Sequence, residues 1–266
     1  MNKISVALWI AGFGISSLIP VLGKELFSAK EVQDFTNSSR ISSEGKNLLI
    51  LRGQFLSSAK KIPYDPQKKY KLTCTAKLAN GEKGMVYLGF IPYDAAGRRI
   101  LSSEINAYPK TMTTLAADAE KGAMEICLAD GSHWNNKTVY GNIAFQADEK
   151  LSDLPNRFLI PMAKGSVQKK DGSWTVKLKK PLNKRYGAGT AVRQHVDSDA
   201  YIYGARKNLT GAPQQLTAFF SGHATHGLSA SKAWKGTSLV QVAIGLTSPD
   251  AAAVMELSEL KLEELP

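Results

Sequence analysis

Arg193 and His195 stand two residues apart in "AVRQHV", residues 191–196, and Tyr201 and Tyr203 stand two apart in "YIYGA", residues 201–205. In an extended strand, side chains two apart leave the same face, so each pair projects together. Pairing of the two strands would gather an Arg, a His and two Tyr on one surface. Such a surface suits a sugar, because aromatic rings stack on the apolar C–H faces of a pyranose while Arg and His donate hydrogen bonds to hydroxyls or carboxylates. Parity does not say which face is wet. The same residues serve equally as inner-face packing, with Arg193 paired to an acid such as Asp197 or Asp199. Trp134, in "DGSHWNNKTVY" at 130–140, has polar flanks and reads as a loop aromatic, and loops on a rigid scaffold concentrate binding residues. The candidate ligand-binding set is therefore Trp134, Arg193, His195, Tyr201 and Tyr203, whereas Trp174, in phase with Val176 and Leu178, and Trp234 read as packing.

Other chemistry is tested residue by residue. Cys74 and Cys127 are the only cysteines. In an exported chain an even pair reads as one disulfide closing a long loop, and the alternative is two buried thiols. Neither has C-x-x-C spacing or a neighbouring His that would suggest redox or metal chemistry. His223 and His226 in "SGHATHG" are spaced for a metal on a turn, but no third ligand stands beside them, so the metal assignment is left unknown. No G-x-S-x-G turn supports a serine hydrolase. Glu104, Asp118 and Glu125 show no spacing that marks a glycosidase pair. The stronger enzymatic rival is a lyase acting on uronate-containing glycans, which needs a His or Tyr base and groups to neutralise a carboxylate. Arg193, Gln194, His195, Tyr201 and Tyr203 offer those types, although Gln194 points away from its neighbours on a regular strand.

The elements that must position these groups are strands. Tyr70, Leu72, Cys74, Ala76 and Leu78 alternate with Lys71, Thr73, Thr75 and Lys77, a half-buried pattern. Val86, Leu88 and Phe90 repeat it, as do Ile143, Phe145 and Ala147, then Trp174, Val176 and Leu178, and Val240 to Leu246. Asn80-Gly81, Ala96-Gly97, Asp130-Gly131 and Asp171-Gly172 punctuate the runs with turn chemistry. Helical periodicity is weak, best at 28–35 and near Ser229 to Ala233. About a dozen short strands predict an all-β, antiparallel β-sandwich of jelly-roll type. Asp153 to Gly165 reads as a crossover loop between sheets. In the last segment, Met255 and Leu257 share one parity and Leu260 and Leu262 the other, which predicts a bulge at Ser258-Glu259.

The N-terminus begins Met1-Asn2-Lys3 and continues as an apolar run from Ile4 to Leu22, the pattern of a signal peptide over 1–23. Gly12, Gly14 and Pro20 make it a poor permanent anchor, and no other run approaches a membrane span. Residues 24–44 read as a lead segment and 45–266 as one β-sandwich domain, in a protein secreted or delivered to the periplasm. The sequence carries 34 Lys plus Arg against 23 Asp plus Glu, a net charge of +11. Its basic residues fall in pairs such as Lys60-Lys61 and Lys169-Lys170, not in a track, so nucleic acid is not the expected partner. In an exported protein the charge points instead to acidic glycans. Asn37-Ser38-Ser39, Asn136-Lys137-Thr138 and Asn208-Leu209-Thr210 match the glycosylation pattern, which matters only in a eukaryotic secretory host.

Several motifs combine in one order: "KGMVYLGFIPYDAAGRR" at 83–99, "TLAADAEKGAMEICLADGSHW" at 114–134, "IAFQAD" at 143–148, "SDLPN" at 152–156, "GTAVRQH" at 189–195, "YIYGA", and a Trp234-Lys235-Gly236-Thr237 turn before "MELSELKLEEL". Over 45–264 this resembles the galactose-binding-like jelly rolls of extracellular bacterial carbohydrate-binding modules. The resemblance implies non-catalytic binding of a polysaccharide or oligosaccharide, with structural calcium as a possible feature. Members often end in an Asp-Asp pair near the calcium, where this chain has Ser258 and Glu259, so no ligand is assigned. The competing expectations are the polysaccharide lyase and a structural or adhesion protein of the cell envelope.

Overall fold

The structure, a computed structural model, describes residues 23–36, 41–224 and 227–266. The signal-peptide expectation lies outside the described residues up to residue 22, as do the Asn37-Ser38-Ser39 pattern and His226. The chain forms β1 (Lys24–Ser28), β2 (Ile41–Glu44), β3 (Asn47–Leu51), β4 (Gln54–Ser57), β5 (Ile62–Pro63), β6 (Lys69–Asn80) and β7 (Gly84–Tyr93), then a one-turn helix, α1 (Ser102–Ile105). Next come β8 (Thr113–Thr114), β9 (Glu125–Leu128), β10 (Gly141–Phe145), β11 (Leu159–Pro161), β12 (Gln168–Lys170), β13 (Ser173–Lys177) and β14 (Ala191–Val196). The chain ends with β15 (Ile202–Leu209), β16 (Gln214–Ser221), β17 (Leu239–Thr247) and β18 (Val254–Leu265). The all-β expectation holds, and β6, β7, β10, β13 and β17 stand where alternation placed them.

Two antiparallel sheets face each other across the main core. One runs β16-β6-β18-β3-β2, with β1 on the later half of β18, and the other runs β15-β7-β17-β4, with β5 beyond β4 along β17. Leu72, Leu88, Phe90, Phe220, Ile244 and Leu262 are among the side chains buried between them. The 24–44 lead segment is not separate from this sandwich. Lys24 to Ser28 pair with Lys261 to Glu264, and Ile41 to Glu44 pair with Asn47 to Ile50, because both stretches answer unpaired strand edges. The register of β18 shifts between Ser258 and Lys261 against β6, with Glu259 at φ +53, so the bulge predicted from the parity change is present. It keeps Leu257, Leu260 and Leu262 all buried.

A second core lies within residues 113–196, where a single sandwich was expected. β11-β10-β14-β8 form one sheet and β12-β13-β9 another. Backbone hydrogen bonds join both edges: Ala116 N–H donates to Cys127 O and Ala129 N–H to Thr114 O, while Ala163 N–H donates to Lys177 O and Lys179 N–H to Pro161 O. The strands β8, β14, β10, β11, β13 and β9 therefore close into a small barrel around Leu115, Ile126, Phe145, Met162, Val176 and Val192. Closure joins the outer edges of β8 and β11 to β9 and β13, and β12 adds a hairpin arm on β13 outside the ring. The 153–165 stretch, expected to cross between sheets, belongs to this barrel and contributes β11.

In the sandwich, β15 crosses close to β7. A Cβ on Gly89 would run into the carbonyl oxygen of Ile202, and one on Gly204 into the ring of Phe220. The register of β15 shifts between Tyr203 and Ala205 at this point. Gly89→Ala is expected to lower the stability of the fold by at least about 2 kcal/mol, since backbone, not a flexible side chain, must give way. Chemical denaturation measures this, and a variant as stable as wild type would contradict the close approach.

Candidate functional site

Arg193 and His195 do project from one face of β14, as their spacing required, but that face is dry. Arg193 is 3% exposed and His195 0%. Arg193 Nη2 donates to Asp153 Oδ2 at 2.8 Å, Nη1 to Asp148 O at 2.9 Å and Nε to His195 Nε2 at 3.1 Å. His195 Nδ1 lies 2.7 Å from Ser103 O in α1. These partners place the proton on Nδ1 and leave Nε2 as acceptor, the neutral imidazole. Burial pulls its pKa down to about 4. Both ring nitrogens are engaged and closed off from solvent, so the base that the lyase expectation assigned to His195 has no access to a substrate. The acid that answers Arg193 is Asp153, from the 148–157 loop, and not Asp197 or Asp199.

Trp134 is also interior. It is 6% exposed, packs in the barrel core and donates from Nε1 to Thr111 O at 2.9 Å. Its neighbours Ser132, His133 and Lys137 are exposed while the ring itself is buried, so the loop platform expected from its flanks is not formed. Cys74 lies in the sandwich on β6 and Cys127 in the barrel on β9, both as free thiols, which replaces the expected Cys74–Cys127 disulfide. Bridging requires close Cα atoms, and Cys74 lies in the sandwich core whereas Cys127 is half-buried on the barrel strand β9, opposite in parity to the core-facing Ile126 and Leu128. Burial pushes the Cys74 thiol up to about 12, leaving it inert at neutral pH. His223 Nε2 lies 2.8 Å from Thr237 O. Among the described residues, no group of three or more His, Cys, Asp or Glu could hold a metal, and Glu259 accepts from Thr75 Oγ1 at 2.9 Å.

Tyr201 and Tyr203 are on a different surface from Arg193. They belong to a cluster of four rings on the outer face of the five-stranded sheet. The ring centroids of Tyr201 and Tyr203 are 4.0 Å apart, Tyr203 and Tyr87 5.3 Å, Tyr87 and Phe55 6.2 Å, and Phe55 and Tyr201 4.9 Å. Register explains the gathering. Arg206, Tyr87, Gly245 and Phe55 stand opposite one another across β15, β7, β17 and β4, and the small Gly245 leaves room between the two rings. Phe55 is 39% exposed and Tyr87 and Tyr203 are half-buried, whereas Tyr201 is 3% exposed.

Three contiguous hollows form a groove along this face. A hollow of about 790 Å³ is lined by Phe55, Tyr87, Asp199, Tyr203, Arg206 and Ala230, among others. It shares Tyr87 and Thr247 with one of about 650 Å³ that includes Glu82, Lys83, Met85 and Asn208. At the other end it shares Asp199, Tyr203 and Ala230 with one of about 200 Å³ that adds Tyr201, Leu228, Ser229 and Trp234. Burial raises the phenols of Tyr201 and Tyr203, so both hydroxyls stay protonated. Residues 197–201 are held in place from the helix side: Ser102 Oγ donates to Asp197 Oδ1 at 2.6 Å and Arg99 donates to Ala200 O.

Of the five residues singled out from sequence, the structure brings Arg193 and His195 together in the interior and Tyr201 and Tyr203 together at the groove, leaves Trp134 apart from both, and adds Phe55, Tyr87, Asp199 and Arg206 to the groove. Tyr87 carried a readable signal, since it alternates against Val86, Leu88 and Phe90 and so places an aromatic ring on the outer face. Phe55 and Asp199 carried none, because their roles depend on register between distant strands. Comparison with known proteins yields no match: no family model, curated protein or solved structure matches the chain.

His195 gives this region a pH signature. Its folded pKa of about 4 lies below the ordinary 6.5, so as pH falls the unfolded chain takes up the proton first. Stability supplied by the neutral ring is present above pH 6.5 and declines down to about pH 4, on the order of 3 kcal/mol in all. Urea denaturation across this window should show wild type losing more stability than His195→Gln, and parallel losses would refute the buried neutral imidazole.

Proposed function

We propose that this chain is an exported, non-catalytic polysaccharide-binding protein whose ligand lies in the groove over Phe55, Tyr87 and Tyr203. The observation that carries the reading is the row of partly exposed rings along an open groove, interleaved with Asn208, Arg206 and Asp199. Aromatic faces give apolar contact to sugar rings with little entropy loss, and the polar groups between them fix hydroxyls. The sites lie on strands of a rigid sheet, so the rings are already in place before the ligand arrives. The strand orders β16-β6-β18-β3 and β15-β7-β17-β4 support the jelly-roll assignment, with the barrel inserted between β7 and β15. The pattern of Met1 to Gly23 supports export.

Affinity electrophoresis through gels containing xylan, galactan, mannan, polygalacturonate or alginate tests the proposal. At least one polymer should retard the protein, and Tyr87→Ala and Tyr203→Ala should each weaken that retardation about tenfold, the equivalent of one lost stacking contact. Tyr140 is the most exposed aromatic among the described residues, at 64%, and is not among the residues that line the groove. Tyr140→Ala should leave retardation unchanged. Equal migration in every gel, or a loss confined to Tyr140→Ala, would remove the groove from consideration.

A further inference from the structure

The hollow of about 200 Å³ at the β15 end of the groove differs from the rest of it. Its lining holds one carboxylate, Asp199, and no Lys or Arg; the remaining members are Tyr201, Ile202, Tyr203, Leu228, Ser229, Ala230 and Trp234. Tyr201 is nine-tenths buried and more, and its hydroxyl is one of the few buried side-chain atoms among the described residues that makes no well-formed hydrogen bond, although the Tyr203 hydroxyl stands near enough to interact with it. A buried hydroxyl without a well-formed hydrogen bond is costly, and a native fold retains one where something else completes it. Trp234 adds an apolar wall held in the main core.

Resting on the polysaccharide-binding reading above, we infer that this hollow is the specificity subsite of the groove and seats one uncharged sugar unit. The Tyr201 hydroxyl pairs with a hydroxyl of that unit, and Asp199 accepts from a second. A uronate is rejected here, because its carboxylate would enter a half-buried space facing Asp199 with no cation to offset it. The overall charge of +11 pointed toward acidic glycans, but the positive groups do not line this hollow. Discrimination thus comes from a local like-charge repulsion, while net charge governs only the long-range approach.

Mannan against polymannuronate, which share their linkage and differ chiefly by a carboxylate, is the main probe pair, with galactan against polygalacturonate, which also differ in anomeric configuration, as a second, at salt high enough to screen surface charge. With xylan as a further neutral probe, wild type should favour neutral polymers. Tyr201→Phe should weaken retardation about tenfold, the loss of one ligand hydrogen bond, while its melting temperature stays equal or rises, since a buried hydroxyl that makes no well-formed hydrogen bond within the protein is removed. Asp199→Asn should raise retardation by the polyuronates relative to their neutral counterparts. A merely structural Tyr201 would show the opposite pattern, with lower melting temperature and unchanged retardation, and would overturn the subsite, as would wild type favouring the polyuronates. Absence of retardation by any of these polymers would instead overturn the binding proposal itself.

Discussion

A guanidinium taken out of water must have its charge and its N–H groups answered, and Arg193 meets that demand by drawing three parts of the chain together. Asp153 supplies the charge, Asp148 a carbonyl and His195 an acceptor nitrogen, while His195 in turn reaches Ser103 in the helix. Asp153 also accepts from Asn156, whose backbone N–H donates to Glu104 O, and Glu104 is bound by Arg157, which reaches on to Asp94 at the end of β7. Burial pushes the Glu104 carboxyl up, and the Leu101 N–H and Arg157 oppose that shift. The network runs without a break from the barrel to the sandwich. Removing one partner of such a buried set leaves an uncompensated charge, a cost of about 3–5 kcal/mol, so the set holds as a unit.

The groove depends on that attachment. The chain leaves β14 at Val196 and enters β15 at Ile202, and the short span between is fixed by Ser102 and Arg99. Asp199 and Tyr201 therefore stand at the end of the sheet face because the barrel is docked where it is. Across the sheet, the small residues Gly89 and Gly245 set how closely strands and rings approach. One part of the protein spends its buried charge on rigidity, and the other presents partly exposed rings on the rigid surface that results.

Much of the fold was legible in the sequence. Period-two alternation marked β6, β7, β10, β13 and β17, and the parity change in β18 located a bulge that the backbone at Glu259 contains. Asp171-Gly172, with both residues in the left-handed region at φ +50 and +82, makes the tight hairpin turn its composition announced. Less could be read where pairing is long-range. β8 and β11 are too short to show a period, and the edges that close the barrel are joined by backbone groups, which carry no side-chain signature. The 24–44 lead segment was recognised but its pairing was not, for the same reason, since β1 finds its partner at the far end of the chain.

The sequence by itself determined which residues share a strand face: Arg193 with His195, and Tyr201 with Tyr203, because side-chain direction along an extended backbone is a local property. Tertiary structure alone decided whether those faces are wet. It covered the first pair with a helix and a loop, placed Trp134 inside a barrel, put Cys74 in the sandwich core and Cys127 on a barrel strand, and left the tyrosines beside Tyr87 and Phe55. Burial depends on what other segments pack against a face, and those segments come from positions tens to hundreds of residues away.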